Sequence, residues 1–89
     1  MADVMNLEVV SRDKVLVKNS KVTSVVVPGI SGDLGILPHH AALLTVLKEG
    51  KLHYKTDNEN FDIQIKSGFI EVLNNKVIVL ISELAEEDN

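Results

Sequence analysis

Apolar and polar residues alternate most cleanly in Asn60-Phe61-Asp62-Ile63-Gln64-Ile65-Lys66. Phe61, Ile63 and Ile65 point one way, Asp62 and Gln64 the other, so this segment predicts a strand with one dry face and one wet face. Asp57-Asn58-Glu59-Asn60 before it reads as a turn, and Lys51-Leu52-His53-Tyr54-Lys55-Thr56 as its hairpin partner. Gly68-Phe69-Ile70-Glu71-Val72-Leu73 and Lys76-Val77-Ile78-Val79-Leu80-Ile81 flank Asn74-Asn75. Asparagine tolerates positive φ, so a two-residue hairpin turn fits there. The second of these runs alternates poorly and predicts a strand covered on both faces. Near the start, Leu7-Glu8-Val9-Val10 and Val15-Leu16-Val17 flank Ser11-Arg12-Asp13. After a turn at Asn19-Ser20, Val22-Thr23-Ser24-Val25-Val26-Val27 forms another run, closed by Pro28-Gly29.

Short strands with turn signals every few residues predict a sandwich or barrel of antiparallel strands. One segment conflicts. Pro38 through Gly50 carries a helix's local signature: proline at the first position, alanine and leucine in the middle, glycine at the stop.

Composition strengthens the β reading. Thirteen Val and seven Ile lie among 89 residues, and Tyr54, Phe61 and Phe69 are the only aromatics, so the core is aliphatic. The chain is long enough for one thin core and too short for a cleft between domains. A formal charge of −4 leaves no basic face for nucleic acid. The absence of cysteine excludes disulfides, zinc–thiolate sites and a cysteine nucleophile, and leans towards a reducing compartment. The longest apolar run, Val77 to Ile81, is far short of a bilayer span, and Met1 to Asn6 lacks the basic cluster of a signal peptide. Work at a membrane would have to go through another protein. The acidic residues 84–89 predict a tail beyond a domain of residues 1–83.

Candidate chemistry is sparse. Gly29-Ile30-Ser31-Gly32-Asp33-Leu34-Gly35 is glycine-rich, but no lysine lies between Lys21 and Lys48 and Asp33 would repel phosphate. The expectation is a tight, exposed loop whose glycines frame Asp33, Leu34 and Ile36 as a contact surface. His39 and His40 are adjacent and cannot both aim at one metal from a strand or a helix. His40 reads instead as bordering a partner surface. No nucleophile elbow presents a serine, and no catalytic, cofactor or metal site is expected. Lys76 follows a hairpin tip, as the modified lysine of a lipoyl or biotinyl carrier domain would. Its Asn75-Lys76-Val77 context and the lack of internal symmetry make this the alternative reading only.

The stretch Val27 to Thr45 resembles the epsilon subunits of F-type ATP synthases. The family pattern is Gly-[Glu/Asp]-x-Gly-[Ile/Val]-x-Pro-x-His-Ala-Pro-Leu-Leu-Thr, and this chain matches it except for Ala42 in place of the second proline. Leu7 to Ser11 is similar to the family's first strand. Gly68 to Val72 is similar to its Gly-Gly-x-x-Glu-Val segment, with Ser67 at the first glycine. Val77 to Leu80, followed by Ala85-Glu86, is similar to its last strand and exit. The resemblance implies an all-β, ten-stranded antiparallel β-sandwich without the family's C-terminal helical hairpin. It implies that Leu43 to Lys48 is extended, against the local helix signal.

It also implies a job: a non-catalytic rotor subunit, part of the central stalk, that clamps gamma onto the membrane ring of c subunits and couples proton flow to ATP synthesis. Such a protein, monomeric when isolated, would sit on the cytoplasmic face of a bacterial inner membrane, or in the matrix or stroma of an organelle. By position, Gly32, Asp33, Leu34, Gly35 and Ile36 would face the c ring, with Leu34 and Ile36 holding it more than Asp33. Ser11, His40 and Thr45 would face gamma. Without the hairpin, neither hairpin-mediated inhibition nor a nucleotide site is expected.

Overall fold

The computed structural model describes residues 3–84, and among these every regular element is a strand. The strands are β1 (Met5–Ser11), β2 (Val15–Val22), β3 (Ser24–Gly29), β4 (Gly32–Ile36), β5 (Leu43–Leu47), β6 (Gly50–Lys55), β7 (Asn60–Leu73) and β8 (Lys76–Leu84). The all-β expectation holds, with eight strands rather than ten. The two runs read as separate strands at 60–66 and 68–73 are one strand, β7, of 14 residues.

The long β7 organises the sheet. Along one edge its first half pairs with β6, from Lys55↔Asn60 to Gly50↔Ile65, and its second half with β5, from Leu47↔Gly68 to Leu43↔Val72. β5 and β6 are thus one antiparallel partner broken by a corner at Lys48-Glu49. Along the other edge β7 pairs with β8 from Ile65↔Leu84 to Leu73↔Lys76. The order continues through β1 to β2 on that side, and through β3 to β4 on the other. One pair departs from the antiparallel expectation: β1 runs parallel to β8, from Asn6↔Lys76 to Ser11↔Ile81. The rest of the chain separates those two strands, so no hairpin constrains their direction.

The sheet coils so that its two ends enclose one core. Leu7, Val9, Val22, Val25, Val27, Leu52, Ile65, Ile70, Val77 and Val79 are sealed from solvent, with Ile36 and Leu47 almost so. Each of the eight strands contributes to this cluster. Among the described residues no charged side chain is buried, and Tyr54, the one aromatic of the core, is 8% exposed and stacks on Phe61.

Local chemistry explains the turns. Asn74 and Asn75 both have positive φ, 51° and 62°, as the two-residue hairpin expects. Asn19 also has positive φ, 48°, but it lies inside β2, where the register with β1 slips between Leu7 and Val9. The expected Asn19-Ser20 turn is therefore a bulge: the chain does not reverse, and β2 runs on to Val22. A bend at Thr23 then leads into β3, which does not pair with β2. A second slip, between Ile65 and Gly68, lets β7 change partners. Gly68 allows it, because a Cβ there would stand 2.6 Å from the Leu80 carbonyl oxygen.

Leu43–Leu47 is a strand, as the resemblance required and against the local helix signal. Pairing with β7 and burial of Leu47 outweigh the modest helix preference of alanine and leucine. Two further expectations change. Gly32–Ile36 is a strand, β4, so the tight turn contracts to Ile30-Ser31. And β8 is covered on one face only: Val77, Val79 and Ile81 are buried while Leu80 is 51% exposed. β8 runs through Leu84; of the expected tail and exit, residues 85–89 lie outside the described residues.

Candidate functional site

The glycine-rich stretch becomes an edge strand. In β4, Gly32, Leu34 and Ile36 turn inward and Asp33 and Gly35 outward. Gly32 has a φ of 136°, which favours glycine after the Ile30-Ser31 turn. Asp33 and Gly35 are exposed and Leu34 is half-buried. Ile36 is a correction. It is 1% exposed, part of the core opposite Val25, and its side chain offers nothing to a partner. A strand alternates faces, so Leu34 and Ile36 both point to the interior, and Leu34 stays half-accessible where it borders a groove.

Leu34 lies beside a shallow groove of about 210 Å³ lined by Ile30, Ser31, Gly32, Asp33, Leu34, Leu43 and Thr45. Thr45 thus belongs with the residues expected to face the ring. Ser11 and His40 lie elsewhere and apart. Ser11 ends β1, its hydroxyl donating to the Lys14 carbonyl at 3.2 Å and accepting from the Lys14 amide at 3.3 Å. His40 sits in the β4–β5 connection, its amide bonded to the Leu37 carbonyl at 3.1 Å and its Nδ1 donating to the Ala41 carbonyl at 2.7 Å. The neighbouring His39 amide donates to Asn75 Oδ1 at 2.8 Å, which ties this connection to the β7–β8 hairpin tip. The tip also holds the start of β1, through the Asn6 amide and the Asn75 carbonyl. Ser11 is five residues further along β1, roughly 17 Å away at about 3.3 Å per residue. The structure does not bring Ser11, His40 and Thr45 together on one patch.

A larger surface escaped the sequence reading. Val46 pairs with Phe69, Phe69 with Leu80, Leu80 with Val10, and Val10 with Val15. Paired residues share a face, so these five form an apolar row across β5, β7, β8, β1 and β2. Four of them are large exposed hydrophobics: Val15, Leu80, Phe69 and Val46. Leu44, on the same face of β5, is 74% exposed. A groove of about 370 Å³, lined by Val10, Ser11, Arg12, Phe69, Leu80, Ile81 and Ser82, crosses one flank of the row. On the other flank, Glu71 and Glu8 bracket Ile78 in the next cross-strand row. An apolar band edged by Arg12 on one side and carboxylates on the other is what a protein-docking face presents. Its trace in the sequence is the poor alternation of Val77 to Ile81 and the doublets Val9-Val10, Phe69-Ile70 and Val46-Leu47, where both faces are apolar.

The opposite side carries a polar cluster. His53 and Asp62 are cross-strand partners, with Nδ1 donating to Oδ1 at 2.5 Å, and Lys51 Nζ lies 3.7 Å from Oδ2. The His53 hydrogen bond, and then the Lys51 charge, hold the Asp62 carboxyl below the usual carboxylate range. A depressed folded-state value stabilises the fold above the unfolded carboxylate pKa, about 3.9, and this is lost as pH falls through the folded value. Asp62→Asn should therefore flatten the acid limb of a pH series of thermal melts below about pH 4, an unchanged limb counting against the linkage. The partial exposure of both side chains to solvent keeps the effect small. Lys76 reaches Glu8 at 3.9 Å, an ordinary half-exposed ion pair beside the β7–β8 hairpin tip. No cluster of three or more metal-ligating side chains occurs among the described residues, and no helix is long and apolar enough to cross a membrane.

Residues 4–87 match the family profile described as ATP synthase, Delta/Epsilon chain, beta-sandwich domain. The chain is 47% identical over 87 residues to the ATP synthase epsilon chain of Lawsonia intracellularis, covering 98% of this chain and 64% of that protein. It is 48% identical over 80 residues to that of Carboxydothermus hydrogenoformans, covering 90% of this chain and 59% of that protein. The chain therefore spans about three-fifths of the length of these relatives. The fold also matches a chain in the OSCP/F1/c-ring structure of the Euglena gracilis mitochondrial ATP synthase, with TM-score 0.87 and 21% identity over 96% of this chain and 56% of that one. A second match is a chain in the central stalk/c-ring structure of the Tetrahymena thermophila mitochondrial ATP synthase, with TM-score 0.79 and 19% identity over 92% of this chain and 66% of that one.

Proposed function

Because the chain belongs to the ATP synthase delta/epsilon family of β-sandwich domains, we propose that it is a non-catalytic subunit of the central stalk that joins gamma to the c ring. The single observation carrying this reading is the apolar row Val46–Phe69–Leu80–Val10–Val15, a large face that no part of the described chain covers. An exposed apolar band of this kind stabilises a protein–protein contact once water is expelled from it. Gamma is its occupant in this reading. Ser11 borders the groove beside Phe69 and Leu80, in keeping with a place at the gamma margin.

The ring takes the other site, the outward edge of β4 with Gly32, Asp33, Leu34 and Gly35. β5 lies between the two. It turns Leu44 and Val46 towards the gamma face and Thr45 towards the β4 groove, so Thr45 stands at the seam between partners. His40 lies apart from it, in the connection from β4 to β5 that His39 ties to the β7–β8 hairpin tip, and its place facing gamma rests on the family resemblance. An adaptor placed there must pass torque without yielding. A close-packed, largely aliphatic core with no buried charge among the described residues, tied by a continuous ladder from β2 to β4, suits that load. The chain itself carries out no chemistry in this reading. Its place at the membrane, on the cytoplasmic face in a bacterium and in the matrix or stroma in an organelle, comes from the ring.

Mixing the purified chain with gamma and detergent-solubilised c rings tests the reading. We expect a stable complex with gamma in sedimentation velocity, and capture of the ring when all three are present. Failure to associate with gamma at micromolar concentrations would contradict it. An adduct on Lys76 in the intact mass would revive the carrier alternative.

A further inference from the structure

We propose that the ring-side contact is made by the main chain: a segment of the ring lies extended along the free edge of β4 as an added strand. The inference rests on the ring-facing reading for the identity of the donor, and on the fold for the mode of binding.

Among the described residues β4 pairs with β3 alone, through Gly29↔Gly32, Pro28↔Asp33, Val27↔Leu34, Val26↔Gly35 and Val25↔Ile36. Pro28 has no amide hydrogen, and its carbonyl accepts from the Lys48 amide at 2.9 Å, on the side away from β4. Pro28↔Asp33 is therefore a pair without mutual hydrogen bonds, and by alternation so is Val26↔Gly35. It follows that the N–H and C=O groups of both Asp33 and Gly35 point outward along the open edge. Four main-chain groups stand in register there, enough to bond two alternate residues of an incoming strand.

Gly35 supplies a second observation. Positive φ accounts for Gly32, and close neighbours around the Cβ position for Gly29, Gly50 and Gly68. At Gly35 φ is not positive, and a Cβ would meet nothing within 4 Å. Nothing inside the fold asks for glycine at this exposed position. A partner strand that lays a bulky side chain of its own over this position does, because a side chain at 35 would occupy the space which that neighbour needs.

The edge also specifies what binds. The partner residue opposite Asp33 shares its outer face and suits Lys or Arg. The next residue, opposite Leu34, turns inward to the groove beside Ile30 and Leu43, and suits a compact apolar side chain. The third, opposite Gly35, has room for a bulky side chain. A charged residue on a short edge strand commonly deters such pairing. Here the deterrent is one carboxylate, which selects for a basic partner rather than against every partner.

At 89 residues the chain is within reach of chemical synthesis and ligation, so Gly35 can be replaced by N-methylglycine. This removes one outward N–H and leaves every internal bond in place. The variant is expected to melt with the wild-type chain and to bind gamma unchanged, yet to bind solubilised rings at least ten-fold more weakly. Gly35→Val should behave alike, because the free domain has space for it. Amide exchange at Asp33 and Gly35 should slow when the wild-type chain joins the ring. Wild-type ring affinity in the N-methyl variant overturns the main-chain contact and leaves the stalk assignment standing. A wild-type chain that binds gamma but no ring overturns the ring-facing reading, and this inference with it.

Discussion

Replacing Phe69 with aspartate is expected to weaken binding to gamma at least 100-fold while leaving the domain folded. Phe69 is 46% exposed, at the centre of the apolar row between Val46 and Leu80. Aromatic side chains at the centre of such a face carry a disproportionate share of binding energy. Aspartate would remove that contribution and also place a charge where the complex excludes water, at a cost of several kcal/mol. A 100-fold change needs only about 2.7 kcal/mol, so the two effects together are ample. In the free domain the aspartate would stay in solvent, and the melting temperature should move little. Titration calorimetry with purified gamma, beside a circular-dichroism melt of each variant, reads both outcomes. Unchanged affinity in a folded Phe69→Asp protein would remove gamma from this face. Leu80→Asp provides a second position on the same row, and should act in the same direction.

One residue further along β7, the expected effect inverts. Ile70 is fully buried, paired with Val79 on one side and Thr45 on the other. Ile70→Ala deletes buried carbons at the strand where the sheet changes partners, and leaves a cavity that the flanking strands, held in register on both sides, cannot fully close. The expected loss is about 2–5 kcal/mol. A domain of this size holds roughly 5–15 kcal/mol of stability, so the variant loses a large fraction of it. At about 4–8 °C per kcal/mol, the melting temperature should fall by more than roughly 10 °C. At temperatures where the variant remains folded, its affinity for gamma should stay near wild type, because Ile70 does not reach the docking face. A melt within a degree or two of wild type would mean that the site collapses around the smaller side chain. Phe69 and Ile70 thus separate function from fold across a single peptide bond, because successive strand residues face opposite ways.

The β segments, the Asn74-Asn75 turn and the aliphatic core were legible from the residues because each is written in local terms: alternation, β-branching and tolerance of positive φ. The apolar row was not. Val15, Val10, Leu80, Phe69 and Val46 are widely spaced along the chain and become neighbours only through four strand pairings, one of them parallel. The reading of Val77 to Ile81 as doubly covered was half right. The segment is apolar on both faces, but only one of them is covered by this chain.

The candidate ring contact was misread in a smaller way. As a loop, Gly32 to Ile36 would show all its side chains; as a strand it shows alternate ones, and Ile36 passes from contact surface to core. The helix signal over 38–50 failed for a related reason. A few tenths of a kcal/mol per residue in helix preference does not compete with a paired, buried strand. By themselves the residues determined that this chain builds a small, largely aliphatic, all-β body, since composition and alternation act on near neighbours. Tertiary structure alone decided which apolar residues remain outside, which edge stays unpaired, and that Ser11, His40 and Thr45 fall in different places, since these depend on pairings between segments distant in the chain.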